Sequence, residues 1–378
     1  MKASIILIPF LLLITSLSVS ALEKIEDLGR ALYFDVNLSK NRSQSCATCH
    51  APEAGFVDPR ENASGKAFSL GDDNKSLGDR NAPTASYAAI APVFHQNKDG
   101  KYIGGQFLDG REKNLKAQAG GPPLNPIEMG MPDKASVVTR LKENPVYVTA
   151  FKNFYGDGIF NETDNAYGAM AESIAAFEKT DFFSPFDSKY DRYLRGEYKM
   201  TKQEELGMTL FFSQQFTNCN ICHQLKRFPE SEGETFSNYE YHNIGVPTNI
   251  EGRRANGVAL DKKDNGLLEN PLVDDKQQAG KFKVPALRNV AVTGPYMHNG
   301  VFKDLKTVVL FYNKYNTKSA KRQINPETGE KWSEPEVAEN ISMKELQTGP
   351  ALDNKRINAL VAFMKTLTDK RYEHLLEQ

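Results

Sequence analysis

Tryptophan occurs once in this 378-residue chain, at Trp332, and cysteine only four times. Charge of one sign is also missing: 47 basic residues face 48 acidic ones, a formal net charge of −1. A near-neutral chain gives no case for binding nucleic acid or an anionic membrane surface. There is no low-complexity tract and no convincing run of alternating strand pattern. The single long apolar run, Ile5 to Leu17, is too short and too weakly flanked for a membrane anchor. The length suits two domains of ordinary size.

The scarce cysteines are fully committed. They form Cys46-Ala47-Thr48-Cys49-His50 and Cys219-Asn220-Ile221-Cys222-His223, two copies of Cys-x-x-Cys-His. In this motif each thiol adds to a haem vinyl group and the adjacent histidine reaches the iron. Two copies imply two covalent c-type haems, with His50 and His223 as proximal iron ligands. The alternatives are a disulfide framework, a zinc site or a redox dithiol. Zinc does not need a fixed histidine after each cysteine pair.

The N-terminus supports that reading. After Met1-Lys2 and the apolar run, Val19-Ser20-Ala21 offers small residues for signal peptidase. Residues 1–21 read as a secretory signal, with an uncleaved anchor as the alternative. The expected compartment is the periplasm or its equivalent, where haem attachment to such motifs takes place.

The chain repeats itself at domain scale. Glu26 to Phe34 precedes the first haem motif and Glu204 to Phe212 the second, with matching Leu28/Leu32 and Leu206/Leu210. That spacing marks one helix face, and Thr201-x-x-Glu204 is a capping box. Downstream, Pro92 to His95 matches Pro295 to His298, and Asp109 to Leu115 matches Asn299 to Leu305. The expected fold is mainly α: two tandem cytochrome c-like haem domains with long loops, over 22–190 and 191–378. Met170, Ile174 and Phe177 mark a helix expected to bridge the halves. Ile357 to Leu367 marks another, with Asp353 as N-cap. The polar stretch from about Tyr315 to Pro350 reads as a surface loop.

The repeats differ where it matters chemically. Twelve residues after Gly300 stands Tyr312; twelve after Gly110 stands Pro122. A phenolate binds ferric iron and a proline side chain binds nothing. If this slot faces each haem, the second haem is His223/Tyr312 six-coordinate and the first keeps an open position. The alternative for Tyr312 is an ordinary core tyrosine. An open iron that activates peroxide needs an acid–base group. Gln118 and Glu128 flank the Pro122-Pro123 turn and are the nearest candidates; the alternatives are a surface amide and a helix cap.

At this point the chain resembles the bacterial dihaem cytochrome c peroxidase/MauG family, over nearly its whole length. The motifs that carry the resemblance are Arg80-Asn81-Ala82-Pro83-Thr84, Asp109-Gly110-Arg111, Gln118-Ala119, Asn125 to Met129, Leu287-Arg288-Asn289 and Pro295 to Gly300. The resemblance implies a Ca2+ ion between the domains, held by the Asn81 side chain and the carbonyls of Thr293 and Pro295, with water completing the shell. It places Gln118 and Glu128 in the peroxide pocket. Tyr312 points to the MauG-like branch, because ordinary members carry methionine there. An anionic phenolate favours oxidised iron, whereas a thioether favours reduced iron.

Two departures stand out. Leu108 replaces the family tryptophan expected between the haems, and no tryptophan stands near Gln215-Phe216-Thr217. Trp332 is either a substitute relay or a packing anchor. No histidine lies between Ala51 and Gly78 to close the first haem. The expected activity is reaction of hydrogen peroxide at the first haem and oxidation of a periplasmic partner protein through the second. The alternatives are an ordinary peroxidase fed by a small cytochrome or copper protein, and a pure dihaem electron carrier.

Overall fold

The computed structural model describes residues 22–225, 228–229 and 231–377. The expected signal segment 1–21 lies outside them. The described chain is mainly helical. Its first half holds α1 (Ile25–Tyr33), α2 (Cys46–Cys49), α3 (Leu115–Ala119), α4 (Lys134–Lys142), α5 (Pro145–Tyr155) and α6 (Thr163–Glu178). The second holds α7 (Lys189–Leu194), α8 (Lys202–Phe212), α9 (Cys219–Cys222), α10 (Ile250–Asn256), α11 (Leu305–Asn313), α12 (Met343–Leu346) and α13 (Asn354–Lys365).

Local chemistry starts these helices where the sequence says it should. Thr201 and Glu204 form the capping box of α8, each bonding the other's backbone N–H. Asp353 caps α13 by accepting from the Arg356 N–H at 2.8 Å. The matched repeat residues Asn114 and Asp304 are the N-caps of α3 and α11.

Each half is organised by one tight helix crossing. In the first, α1 packs on α6; in the second, α8 packs on α13. A β-carbon at Gly29 would stand 1.9 Å from the Ser173 carbonyl oxygen and 2.9 Å from the Phe177 β-carbon. At Gly207 the same atom would stand 1.9 Å from the Ala359 oxygen and 2.8 Å from the Phe363 β-carbon. Only glycine permits backbones this close. The crossing superimposes α6 on α13, with Phe177 answering Phe363.

Helix α6 therefore does not bridge the halves. It packs on α1, α3, α4 and α5 of its own half, because its apolar face (Met170, Ile174, Phe177) enters the first core beside Leu28 and Leu32. The second core gathers Leu210, Phe211, Leu305, Ile357, Leu360 and Phe363. The chain end crosses back: Tyr372 joins the first core and donates to the Pro52 carbonyl at 2.6 Å.

Strands are few and short. β1 (His95–Gln96) pairs with β2 (Tyr102–Ile103), and β3 (Tyr241–His242) with β4 (Phe282–Lys283), both antiparallel. Backbone bonds tie the halves together here, Gly104 N–H to Tyr239 O at 3.0 Å and Lys283 N–H to Leu108 O at 2.9 Å.

The segment 315–350 is not a free surface loop. The Asn243 amide donates to the carbonyls of Val337 and Glu339 at 2.9 and 2.8 Å. Val337 is buried, and Glu336, Val337, Ser342, Glu345 and Leu346 line the central cavity. Trp332 donates Nε1–H to the Arg322 carbonyl at 2.9 Å. Its ring stands edge-on to Phe302 and Phe311 at 5.7 and 5.6 Å.

Candidate haem and peroxide site

One continuous cavity of about 830 Å3 runs between the halves, and both Cys-x-x-Cys-His motifs lie on its wall. The four thiols form no disulfide. Among the described residues no cluster of His, Cys, Asp and Glu could hold a metal ion by itself. A disulfide framework and a zinc site thus both lack support.

The two histidines are prepared alike. Each follows a single helical turn, its N–H bonded to the first cysteine's carbonyl at 2.9 Å (His50) and 3.0 Å (His223). His50 Nδ1 lies 3.2 Å from the Phe56 carbonyl, and His223 Nδ1 lies 2.9 Å from that of Phe236. Both phenylalanines are fully buried and hold left-handed backbone, with φ of 60° and 56°. A carbonyl partner assigns the proton to Nδ1 and leaves the Nε2 lone pair for iron. Burial lowers both rings' proton affinity, His223 to about 4. Neutral imidazoles and buried thiols fit covalent haem.

Pro122, Gln118 and Glu128 line the same cavity as His50. Gln118 sits on α3, whose cap Asn114 accepts from the Ala117 N–H at 3.0 Å. Pro122 opens a short 3-10 turn, Pro122–Leu124. The Glu128 backbone is pinned by its N–H to Asn125 O at 3.0 Å and by its carbonyl accepting Asp72 N–H at 2.7 Å. Burial raises its carboxyl's proton affinity against the opposing pull of Arg111 and Asn125.

Tyr312, on α11, lines the cavity with Cys219, Cys222 and His223. Tyr33, Tyr87 and Tyr241 spend their hydroxyls on His50 O, Asp369 and Gly104 O, whereas the buried Tyr239, also on the cavity wall, has a hydroxyl with no hydrogen-bond partner among the described residues. Tyr312 shares this wall with the two thiols of the second motif. Burial, with the Cys222 and Cys219 thiols beside it, pushes its ionisation up. A phenolate there needs a cation, and ferric iron is one.

Asn81, Thr293 and Pro295 also line this cavity. Asn81 donates its backbone N–H to His298 O at 2.7 Å and Nδ2–H to Ala67 O at 3.0 Å. The backbone bond sets Asn81 beside the loop that carries His298. Leu108 lines the cavity too.

The sequence motifs name Arg80, Asp109 and His298, but the contacts of these wall residues were beyond sequence reasoning. Arg80 bonds Asp109 at 2.5 Å and Asp264 at 2.6 and 2.7 Å. Asp109 could be found through its Gly110-Arg111 motif. Asp264 has no local signal, its partner lying 184 residues away. His298 is buried and stacks on Phe282 at 3.7 Å. Its repeat counterpart His95 is instead exposed on β1. Glu178, the last residue of α6, was also missed. It lines the cavity with an unpartnered oxygen.

Two covalent haem motifs on one cavity, in two helical halves, define a dihaem c-type oxidoreductase. The comparisons agree. Residues 23–199 match the family model described as di-haem cytochrome c peroxidase. The chain is 55% identical to the methylamine utilization protein MauG of Paracoccus denitrificans, over 93% of this chain and 90% of that protein. It is 33% identical to the cytochrome c peroxidase Ccp of Escherichia coli, over 76% of this chain and 52% of that protein. The crystal structure of the diheme peroxidase BthA from Burkholderia thailandensis aligns with a TM-score of 0.79 at 28% identity, covering 92% of this chain and 86% of that one. The chain belongs to the dihaem cytochrome c peroxidase/MauG family, and it is a dihaem peroxidase-type oxidoreductase with two c-type haems.

Proposed function

We propose that this protein works in the MauG manner, reacting with hydrogen peroxide in the first haem pocket and drawing electrons from a partner protein through the second. The observation that carries this reading is the contrast between Pro122 in the first half and Tyr312, beside the Cys219 and Cys222 thiols, in the second, both on the cavity wall. When bound, the haems supply iron redox chemistry. The chain supplies the rest. Cys46 and Cys49, and Cys219 and Cys222, hold the two porphyrins. His50 and His223 present Nε2 to the irons. Pro122 leaves the first pocket open to peroxide. Gln118 orients the bound peroxide by its amide. Glu128 holds a proton on its carboxyl and moves it between the peroxide oxygens. Tyr312 would hold the second iron through its phenolate oxygen.

The same reading assigns a Ca2+ ion to Asn81 Oδ1 and the carbonyls of Thr293 and Pro295. These are hard oxygen donors, which suit calcium. It places the domain boundary near residue 190 and the protein in the periplasm after removal of residues 1–21. Among the described residues no helix is long and apolar enough to cross a membrane. The partner is a protein able to give up electrons; 55% identity to a methylamine utilization protein MauG supports the MauG-like branch.

The test is the resting ferric protein in electron paramagnetic resonance. One high-spin signal from the His50 haem and one low-spin signal from the His223/Tyr312 haem are expected. Two low-spin signals would remove the open site and with it the proposal.

A further inference from the structure

The two haem pockets differ at a second place, where a buried acid faces the first pocket and a thioether faces the second. The glycine crossings equate Ile174 and Glu178 of α6 with Leu360 and Met364 of α13, and all four line the cavity. Packing at this position therefore does not require a carboxyl; methionine fills it in the other half. Glu178 is only 6% exposed, and its Oε2 has no hydrogen-bond partner among the described residues. Glutamate is almost never buried unpaired without a reason, because a lone buried charge is costly.

We propose that Glu178 holds a second proton in the first haem pocket, apart from the one that Glu128 moves between the peroxide oxygens. The Glu178 carboxyl takes up one proton when the haem held by Cys46, Cys49 and His50 gains one electron, and releases that proton when the electron leaves. The proposal rests on two bound haems, not on which donor protein feeds them.

The surroundings of Glu178 suit this task. Helix α1 brings Tyr33, whose hydroxyl donates to the His50 carbonyl at 3.0 Å, and Arg30, which lies over the Phe177 ring at 6.0 Å. Helix α2 brings Cys46, and Tyr33 in turn lies near Cys49 and Tyr372. Lys116 of α3 and Lys134 of α4 are spent on Glu172 and Asp164. Tyr155 of α5 is spent on Ser173. The turn Ala88–Ile90 carries no titratable group. None of these hydrogen-bonds Glu178, and burial alone raises its carboxyl to about 8. Such a group is neutral when the pocket carries extra negative charge and ionises when it does not. Reduction of hydrogen peroxide to two waters consumes two electrons and two protons. A proton stored on the pocket wall and released as an electron leaves the first haem keeps charge and proton supply in step.

The experiment is a spectroelectrochemical titration of the dihaem protein with small mediators, repeated from about pH 6 to about pH 9. Haem content is read first: fewer than two covalent haems would sink the dihaem reading itself. With both haems present, the first haem's potential is expected to fall as pH rises through the Glu178 titration. Glu178→Gln and Glu178→Met should lose that fall, with the second haem unchanged. The reciprocal Met364→Glu should confer a pH dependence on the second haem, and it decides the matter if either Glu178 variant fails to fold. An unaltered pH dependence in Glu178→Gln, or a second haem indifferent to Met364→Glu, overturns the proposal.

Discussion

Arg288 and Asp191 form a buried ion pair in which the guanidinium meets both carboxylate oxygens, at 2.5 and 2.9 Å. The arginine is 1% exposed and the aspartate 6%. Arg288 also donates to the Glu234 carbonyl at 2.7 Å and lies against Tyr87 and Phe186. It thereby fastens the start of α7 and a first-half aromatic to the second half. Burial alone would raise the Asp191 carboxyl, but the bonds from Arg288 outweigh it and hold the group below its usual range. A depressed carboxyl stabilises the fold above its unfolded value, near pH 3.9, and loses that stabilisation as pH falls through the folded value. Asp191→Asn leaves Arg288 buried and unpaired, and should cost about 3–5 kcal/mol. Denaturant unfolding at neutral pH, compared with unfolding below about pH 4 where the gap between parent and variant should shrink, checks both claims.

The glycine crossings give a second stability prediction. Gly29→Ala and Gly207→Ala each force a methyl onto a backbone carbonyl rather than a flexible side chain. Each should lower stability by about 1–3 kcal/mol or more. Gly168, where an added β-carbon meets nothing within 4 Å, is the control: Gly168→Ala on the same helix α6 should be neutral or stabilising. Equal melting temperatures for all three variants would mean that the helices do not cross this tightly.

Much of this was legible in sequence because the signals are local. Haem motifs, the Thr201–Glu204 box and the Asp353 cap are each written within a few residues. The repeat extended that reach, so Asn114 and Asp304 fell on equivalent caps. What escaped is long-range. The polar stretch after Tyr315 shows no periodicity, since its order comes from Asn243, 94 and 96 residues away from its partners. The role of α6 was misread because an apolar helix face does not say which half it faces. Glu178 could not be paired with Met364 until the crossings aligned α6 with α13.

Tyr312→Met replaces an anionic hard ligand by a neutral soft one, so the second haem's potential should rise. The first haem's spectrum should stay as it is. A redox titration that finds the second potential unmoved would mean that Tyr312 is a core tyrosine with an idle hydroxyl.

Glu128→Gln keeps the shape of the side chain and removes its proton. Both ferric spectra should be preserved while the reaction with peroxide slows by about 10²–10⁴-fold, the usual range for a positioned acid–base group. Stopped-flow mixing measures this. Parent-like rates would reduce Glu128 to a residue that shapes the turn through its backbone bonds to Asn125 and Asp72.

The final prediction separates protein oxidation from an ordinary peroxidase cycle. A peroxidase whose first haem is closed at rest needs one electron before it reacts. Here no histidine stands between Ala51 and Gly78 to close that haem, and Pro122 on the cavity wall has no ligand atom to offer. The fully ferric protein should therefore react with one equivalent of peroxide directly, without a reductant. Its ferric signals should vanish quickly and return slowly until a partner protein is supplied. The measurement is rapid mixing of the diferric protein with peroxide while both haem bands are followed. Silence until one haem is reduced, then turnover with a small cytochrome, would assign the protein to ordinary peroxide removal. It would also show that some residue other than Pro122 closes the first pocket at rest.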